Sequence, residues 1–124
     1  MSIIISAQKV NDNFQYHIRK TDKPIKIDGK TDDEAWKEAQ VADQFAQVLP
    51  MDTSKAWLNT QVRLTYDDKN LYFSFVNYNN KIPGKWIVES LKRDWNFGKN
   101  DNDLLFIDPF DDQTNGFAFG SNAM

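Results

Sequence analysis

An all-β fold, a β-sandwich of jelly-roll type carrying one short helix, is what this sequence predicts, and three observations predict it. Short segments alternate apolar with polar residues, turn-forming residues separate them, and a single stretch with helix-capping chemistry interrupts the pattern. A generic α+β domain is the alternative reading of the same elements. At 124 residues the chain has the size of one domain.

The first alternation runs through Phe14, Tyr16 and Ile18, with Gln15, His17 and Arg19 between them, and predicts a half-buried strand. Thr21 to Pro24 turn the chain into a short strand, Ile25–Ile27, which ends at Asp28-Gly29, where glycine can take the positive φ of a tight turn. Thr31 then reads as an N-cap with Glu34 as its capping-box partner, and Asp32, Asp33 and Glu34 suit the positive end of a helix dipole. Ala35, Trp36 and Ala39 share one side of this helix, so Trp36 is expected as a plug in the core.

Leu49 to Thr60 reads as a loop with an exposed Trp57. The strongest hairpin signal follows: Val62, Leu64 and Tyr66 alternate, Asp67 to Asn70 turn, and Leu71 to Tyr78 return as a strand apolar on both faces, expected mid-sheet or covered. Asn77 to Gly84 form a turn cluster, and Lys85 to Lys99 an irregular aromatic-rich segment. A buried strand, Leu104–Ile107, an acidic turn, Asp108–Gln113, and a last strand around Gly116–Gly120 complete the pattern. The ending directly after that strand predicts further strands downstream, and an unfinished sandwich would offer an edge for pairing with a second copy.

Composition narrows the function. Eighteen acidic against fifteen basic residues, the bases scattered, leave no electrostatic footprint for nucleic acid. With no cysteine there is no disulfide framework, thiolate metal site or cysteine nucleophile. No apolar run approaches the roughly 18 residues that span a membrane. Residues 1–8 admit two readings, the remnant of a secretory signal or a first apolar strand, with the domain proper at 9–124. His17 stands alone, and no nucleophile-elbow, zinc-protease or phosphate-loop motif occurs, so the segment is expected not to be an enzyme.

Three ordered motifs carry a resemblance. Ile25 to Trp36, Val62 to Phe75, and Asp101 to Asp108 together resemble the carbohydrate-binding module family 9-like domain. Arg93-Asp94, Asp108 to Asp112 and Asn115 to Phe119 are similar to the version at the front of large bacterial secreted or outer-membrane proteins that continue into a domain of unknown function. The resemblance implies a jelly-roll sandwich that holds a polysaccharide or oligosaccharide against aromatic side chains at loop ends, with structural calcium in some relatives. It implies a secreted or cell-surface location and a downstream domain of the same protein as a neighbour. It also implies that Trp95 or Phe97 is the aromatic before the Asp101 strand. Where sugar-binding relatives place a carboxylate within that strand and a base in the next, this chain has Leu104 and Ala118.

Sugar chemistry selects the candidate residues. A pyranose presents a face of C–H groups to an aromatic ring while its hydroxyls need polar partners at the rim. Trp57, Trp86 and Trp95, with Phe97 from the resemblance, are the candidate platforms, and Arg93, Asn96, Lys99 and Asn100 the candidate rim; Arg93-Asp94 reads equally as a structural ion pair. Asp101, Asp103, Asp108, Asp111 and Asp112 could offer oxygens to calcium, although their spacing is not that of an EF-hand and a solvated acidic turn is the alternative. Three functions are thus expected in competition: a carbohydrate-binding module, a structural sandwich that has lost its sugar site, and the accessory segment of a polysaccharide hydrolase.

Overall fold

The computed structural model describes residues 14–48, 54–79, 84, 86–89, 92–112 and 114–123. Among the described residues the regular structure is nearly all strand: β1 (Arg19–Lys20), β2 (Ala46–Gln47), β3 (Ser54–Lys55), β4 (Thr60–Tyr66), β5 (Leu71–Asn77), β6 (Asn102–Ile107) and β7 (Phe117–Asn122), with a helix, α1 (Glu34–Glu38), and a 3₁₀ turn, Phe97–Lys99. The chain is all-β. It divides into two compact units, residues 1–78 and 79–124. Residues 1–8, and residues 80–83 of the expected turn cluster 77–84, lie outside the described residues.

The first unit is organised on β4. It pairs antiparallel with β5 from Thr60↔Asn77 to Tyr66↔Leu71 and parallel with β1, so β4 is central in the order β1-β4-β5. The hairpin fell where alternation put it. Of the two placements expected for the return strand, mid-sheet or covered, the first is not seen among the described strands, where β1 joins the β4 edge and β5 is outermost.

The hairpin turn is held by Asp67. Its Oδ1 accepts the backbone N–H of Lys69 and of Asn70, each at 2.7 Å, and its Oδ2 accepts the Tyr72 hydroxyl at 2.7 Å. The Lys69 N–H, the Tyr72 hydroxyl and the Asn70 N–H, in that order, favour the ionised carboxylate and hold its pKa down to about 2.

The predicted strand at 14–18 moves to 19–20, and the reason lies in side chains. Tyr16 inserts its hydroxyl against β4, accepting the Leu64 N–H at 2.8 Å and donating to the Gln40 carbonyl. The segment is thus tied to its neighbours by a side chain instead of a backbone ladder. Only at Arg19 does the backbone reach β4, where the Thr65 hydroxyl donates to the Arg19 carbonyl at 2.8 Å.

The strand expected at 25–27 is likewise absent. The Lys26 N–H is taken by the Asp33 carboxylate at 3.2 Å, which also explains why the helix starts late. Asp33 occupies the N-cap without capping, since its side chain points back to Lys26, and Thr31 is displaced from that role. Glu34 pairs with Lys23 and Lys37 instead of closing a capping box. Trp36 is the core plug that the sequence predicts, 4% exposed, and joins Ala35, Ala39 and Val62 where α1 meets β4. The loop 49–60 contains one more pairing, β3 against β2, with Ala46↔Lys55 in register.

The second unit is built on the antiparallel hairpin of β6 and β7, in register from Asn102↔Asn122 to Ile107↔Phe117. Both strands extend past their predicted bounds.

Candidate functional site

The aromatic segment before β6 is fastened by two residues. Asn100 is buried; its Oδ1 accepts the Glu89 N–H at 2.7 Å and its Nδ2 donates to the Asn96 carbonyl at 2.8 Å. Asp101 exchanges backbone bonding with Ile87, its N–H reaching the Ile87 carbonyl at 2.8 Å while its Oδ2 accepts the Ile87 N–H at 2.7 Å. The strip 86–89 is thereby held alongside 100–101. Asn96 accepts the Gly98 N–H at 3.0 Å and caps the 3₁₀ turn.

Trp95 lies over the hairpin at Gly120. A methyl group built on Gly120 would stand 3.3 and 3.5 Å from two carbons of the indole, so the missing side chain makes the room that the ring fills. The Trp95 Nε1–H is buried without a hydrogen-bond partner among the described residues. Phe97 meets Trp95 edge to face, with centroids 6.1 Å apart and planes at 90°. Phe97 is 53% exposed and Trp86 43%, so both present ring surface to solvent on this unit. Arg93 is exposed and forms no ion pair among the described residues, and the expected bridge to Asp94 does not form there. Asp94 adopts a left-handed φ of 59°.

The structure therefore gathers Arg93, Trp95, Asn96 and Phe97 in one loop, with Trp86 on the strip that Asn100 and Asp101 fasten to it. Trp57 is apart from these, 70% exposed in the first unit between β3 and β4.

Among the described residues no three His, Asp or Glu side chains gather at one point. Asp101 holds Ile87, Asp108 accepts the Phe110 N–H at 3.1 Å, and Asp112 accepts the N–H groups of Thr114 and Asn115 at 2.9 and 2.8 Å. The Asn115 side chain and backbone and the Thr114 N–H all favour the Asp112 carboxylate and push its pKa well below the ordinary range. Asp103 stands opposite Ser121 within β6, and Asp111 takes a left-handed φ of 52° in the turn. The carboxylates of Asp101, Asp108 and Asp112 thus each accept a backbone N–H.

Sequence reading missed a concavity elsewhere in the chain. The first unit carries an open cleft of about 510 Å³ between residues 14–16 and 40–46. Its signal, Phe14 and Tyr16 in alternation, is indistinguishable in sequence from that of a buried strand face.

No curated protein and no solved structure matches the chain. Residues 27–81 match the family model described as carbohydrate family 9 binding domain-like, a span that holds α1 and β2 through β5, while the Trp95–Phe97 loop lies beyond it. The α1 plug and the Asp67 hairpin lie within the matched stretch, so this part of the chain is similar to the carbohydrate family 9 binding domain-like family.

Proposed function

We propose that the chain is a non-catalytic carbohydrate-binding module of a larger secreted or cell-surface protein, with 9–124 the N-terminal part of a jelly-roll sandwich, and that the sugar rests on the Phe97 and Trp86 rings. One observation carries this reading: the edge-to-face Trp95–Phe97 pair on a loop pinned by the buried Asn100. Such pinning supplies stacking surface already ordered before a ligand arrives, which lowers the entropic cost of binding. Arg93 stands on the same loop with its guanidinium unpaired among the described residues, and it gives sugar hydroxyls a donor. Affinity electrophoresis through gels containing xylan, β-glucan, mannan or pectin tests it. Retardation by at least one polysaccharide, weakened about fivefold by Phe97→Ala as loss of roughly 1 kcal/mol of stacking, is expected. Unretarded migration in all four gels would overturn the proposal.

A second reading has its own observation. Leu104 stands where sugar-binding relatives carry a carboxylate, and its Cδ2 lies 2.9 Å from where a Gly120 methyl would sit, beside the Trp95 indole. Phe106, Phe117 and Phe119 of the same hairpin are exposed. A module that has exchanged sugar binding for docking on a downstream domain, or on a second copy through a sheet edge, fits these apolar surfaces. Sedimentation of the full chain alone, and with the following domain, separates these partners.

A further inference from the structure

We infer that the cleft of the first unit is a second binding site, specific for an uncharged saccharide. It is distinct in residues from the Trp95 loop and does not depend on it.

The walls of the cleft are fixed before any ligand enters. On one side the Tyr16 hydroxyl is spent on Leu64 and Gln40, and the Gln40 Oε1 accepts the His17 N–H at 2.9 Å, which locks residues 14–17 against 40. On the other, Ala42 and Val62 exchange both backbone bonds at 2.9 Å, and the Phe45 carbonyl accepts the Ala56 N–H at 3.0 Å. The backbone of 42–45 is thereby tied to β4 at one end and to the chain following β3 at the other.

Within those walls lie two kinds of group. Phe14 and Phe45, 62% and 40% exposed, offer ring surface, and Val41 adds an aliphatic patch. Gln15, Asp43 and Gln44 line the same cleft with side chains that have no partner among the described residues. Rings without polar neighbours would suit a hydrocarbon, and polar groups without rings would suit water. Rings interleaved with unpaired amides and a carboxylate suit a molecule with C–H faces and hydroxyl edges, which is a sugar. The volume, about 510 Å³, falls among small-molecule sites.

Charge decides which sugar. Among the described residues no lysine, arginine or histidine lines the cleft, and the one ionisable wall group besides the spent Tyr16 is Asp43. A uronate or sulfated sugar would meet a carboxylate with no cation to offset it. The ligand is therefore neutral.

The test is an amide-resolved NMR titration of the full chain with cellobiose, xylobiose and digalacturonate. Expected are saturable shifts at Gln15 and Asp43 to Ala46, including the Gln15 and Gln44 side-chain amides, with at least one neutral disaccharide and not with digalacturonate. Phe45→Ala and Gln44→Ala each weaken that binding at least fivefold, and Asp43→Asn narrows the gap between neutral and acidic sugars. Phe14→Leu, which keeps the apolar bulk and removes the ring, weakens it without touching the 42–45 backbone. Shifts confined to residues 86–100 overturn the cleft and leave the Trp95 loop proposal standing; shifts confined to the cleft do the reverse. Equal binding of digalacturonate, or undiminished affinity in the Phe45 and Gln44 variants, also overturns the inference.

Discussion

Gly120→Ala probes the seat of Trp95 with a single methyl group. Two opposing terms set its effect. Alanine in a strand removes a glycine penalty of roughly 0.5–1 kcal/mol, whereas overpacking a filled site costs about 1–3 kcal/mol. The new carbon would lie 2.9 Å from Leu104 Cδ2, and 3.3 and 3.5 Å from indole carbons of Trp95. The leucine methyl can rotate aside, but Leu104 stands directly across the ladder from Gly120 and the indole covers both. The steric term wins by about 1 kcal/mol, a melting shift on the order of 4 °C downward for a domain of this size. Thermal denaturation gives the stability, and the Trp95 indole N–H resonance reports displacement of the ring. Leu104→Ala in the same chain should recover part of the loss, a coupling of more than about 0.5 kcal/mol in a double-mutant cycle. An alanine variant as stable as the parent, with an unmoved Trp95 resonance, would refute the view that Gly120 is kept small by the indole.

Other expectations concern the core, the hairpin and the loop. Trp36→Ala should cost about 3–5 kcal/mol, while Trp36→Phe should cost far less, because the buried indole N–H it removes has no partner; urea denaturation compares the two. Thr65→Val should cost about 1 kcal/mol through the lost bond to the Arg19 carbonyl, with faster amide exchange at Thr21, whose N–H reaches the neighbouring Tyr66 carbonyl. Asp67 has a folded pKa near 2, below its ordinary 3.8, so its contribution to the hairpin is present above pH 3.8 and is lost as pH falls through about 2. The Lys69 and Asn70 amide resonances should follow that titration, and Asp67→Ala should abolish it. Asn100→Ala should free the Glu89 N–H and the Asn96 carbonyl, raising exchange at Glu89 and weakening any sugar bound at Phe97.

Local chemistry carried much of the fold. Alternation at Val62 to Tyr66 and Leu71 to Phe75, with Asp67 and Asn70 between, specifies a hairpin whose bonds all lie within eighteen residues, so the sequence by itself determined it. Trp36, on the same helix side as Ala35 and Ala39, likewise went to the core. The elements misplaced in the reading were those whose partners are remote. Thr31 and Glu34 carry the signature of a capping box, yet Asp33 answers Lys26 and Glu34 answers Lys23, and no local rule weighs those competitors. Phe14 and Tyr16 alternate as a strand would, but a hydroxyl that reaches β4 across 48 residues turned one into an anchor and left the other at the rim of a cleft. The acidic turn is the local counter-case, since Asp108 and Asp112 accept N–H groups only two or three residues ahead. Side-chain type is a property of the chain, whereas the partner that claims each donor and acceptor depends on which distant segments the fold brings within about 3 Å, and that was decided only in three dimensions.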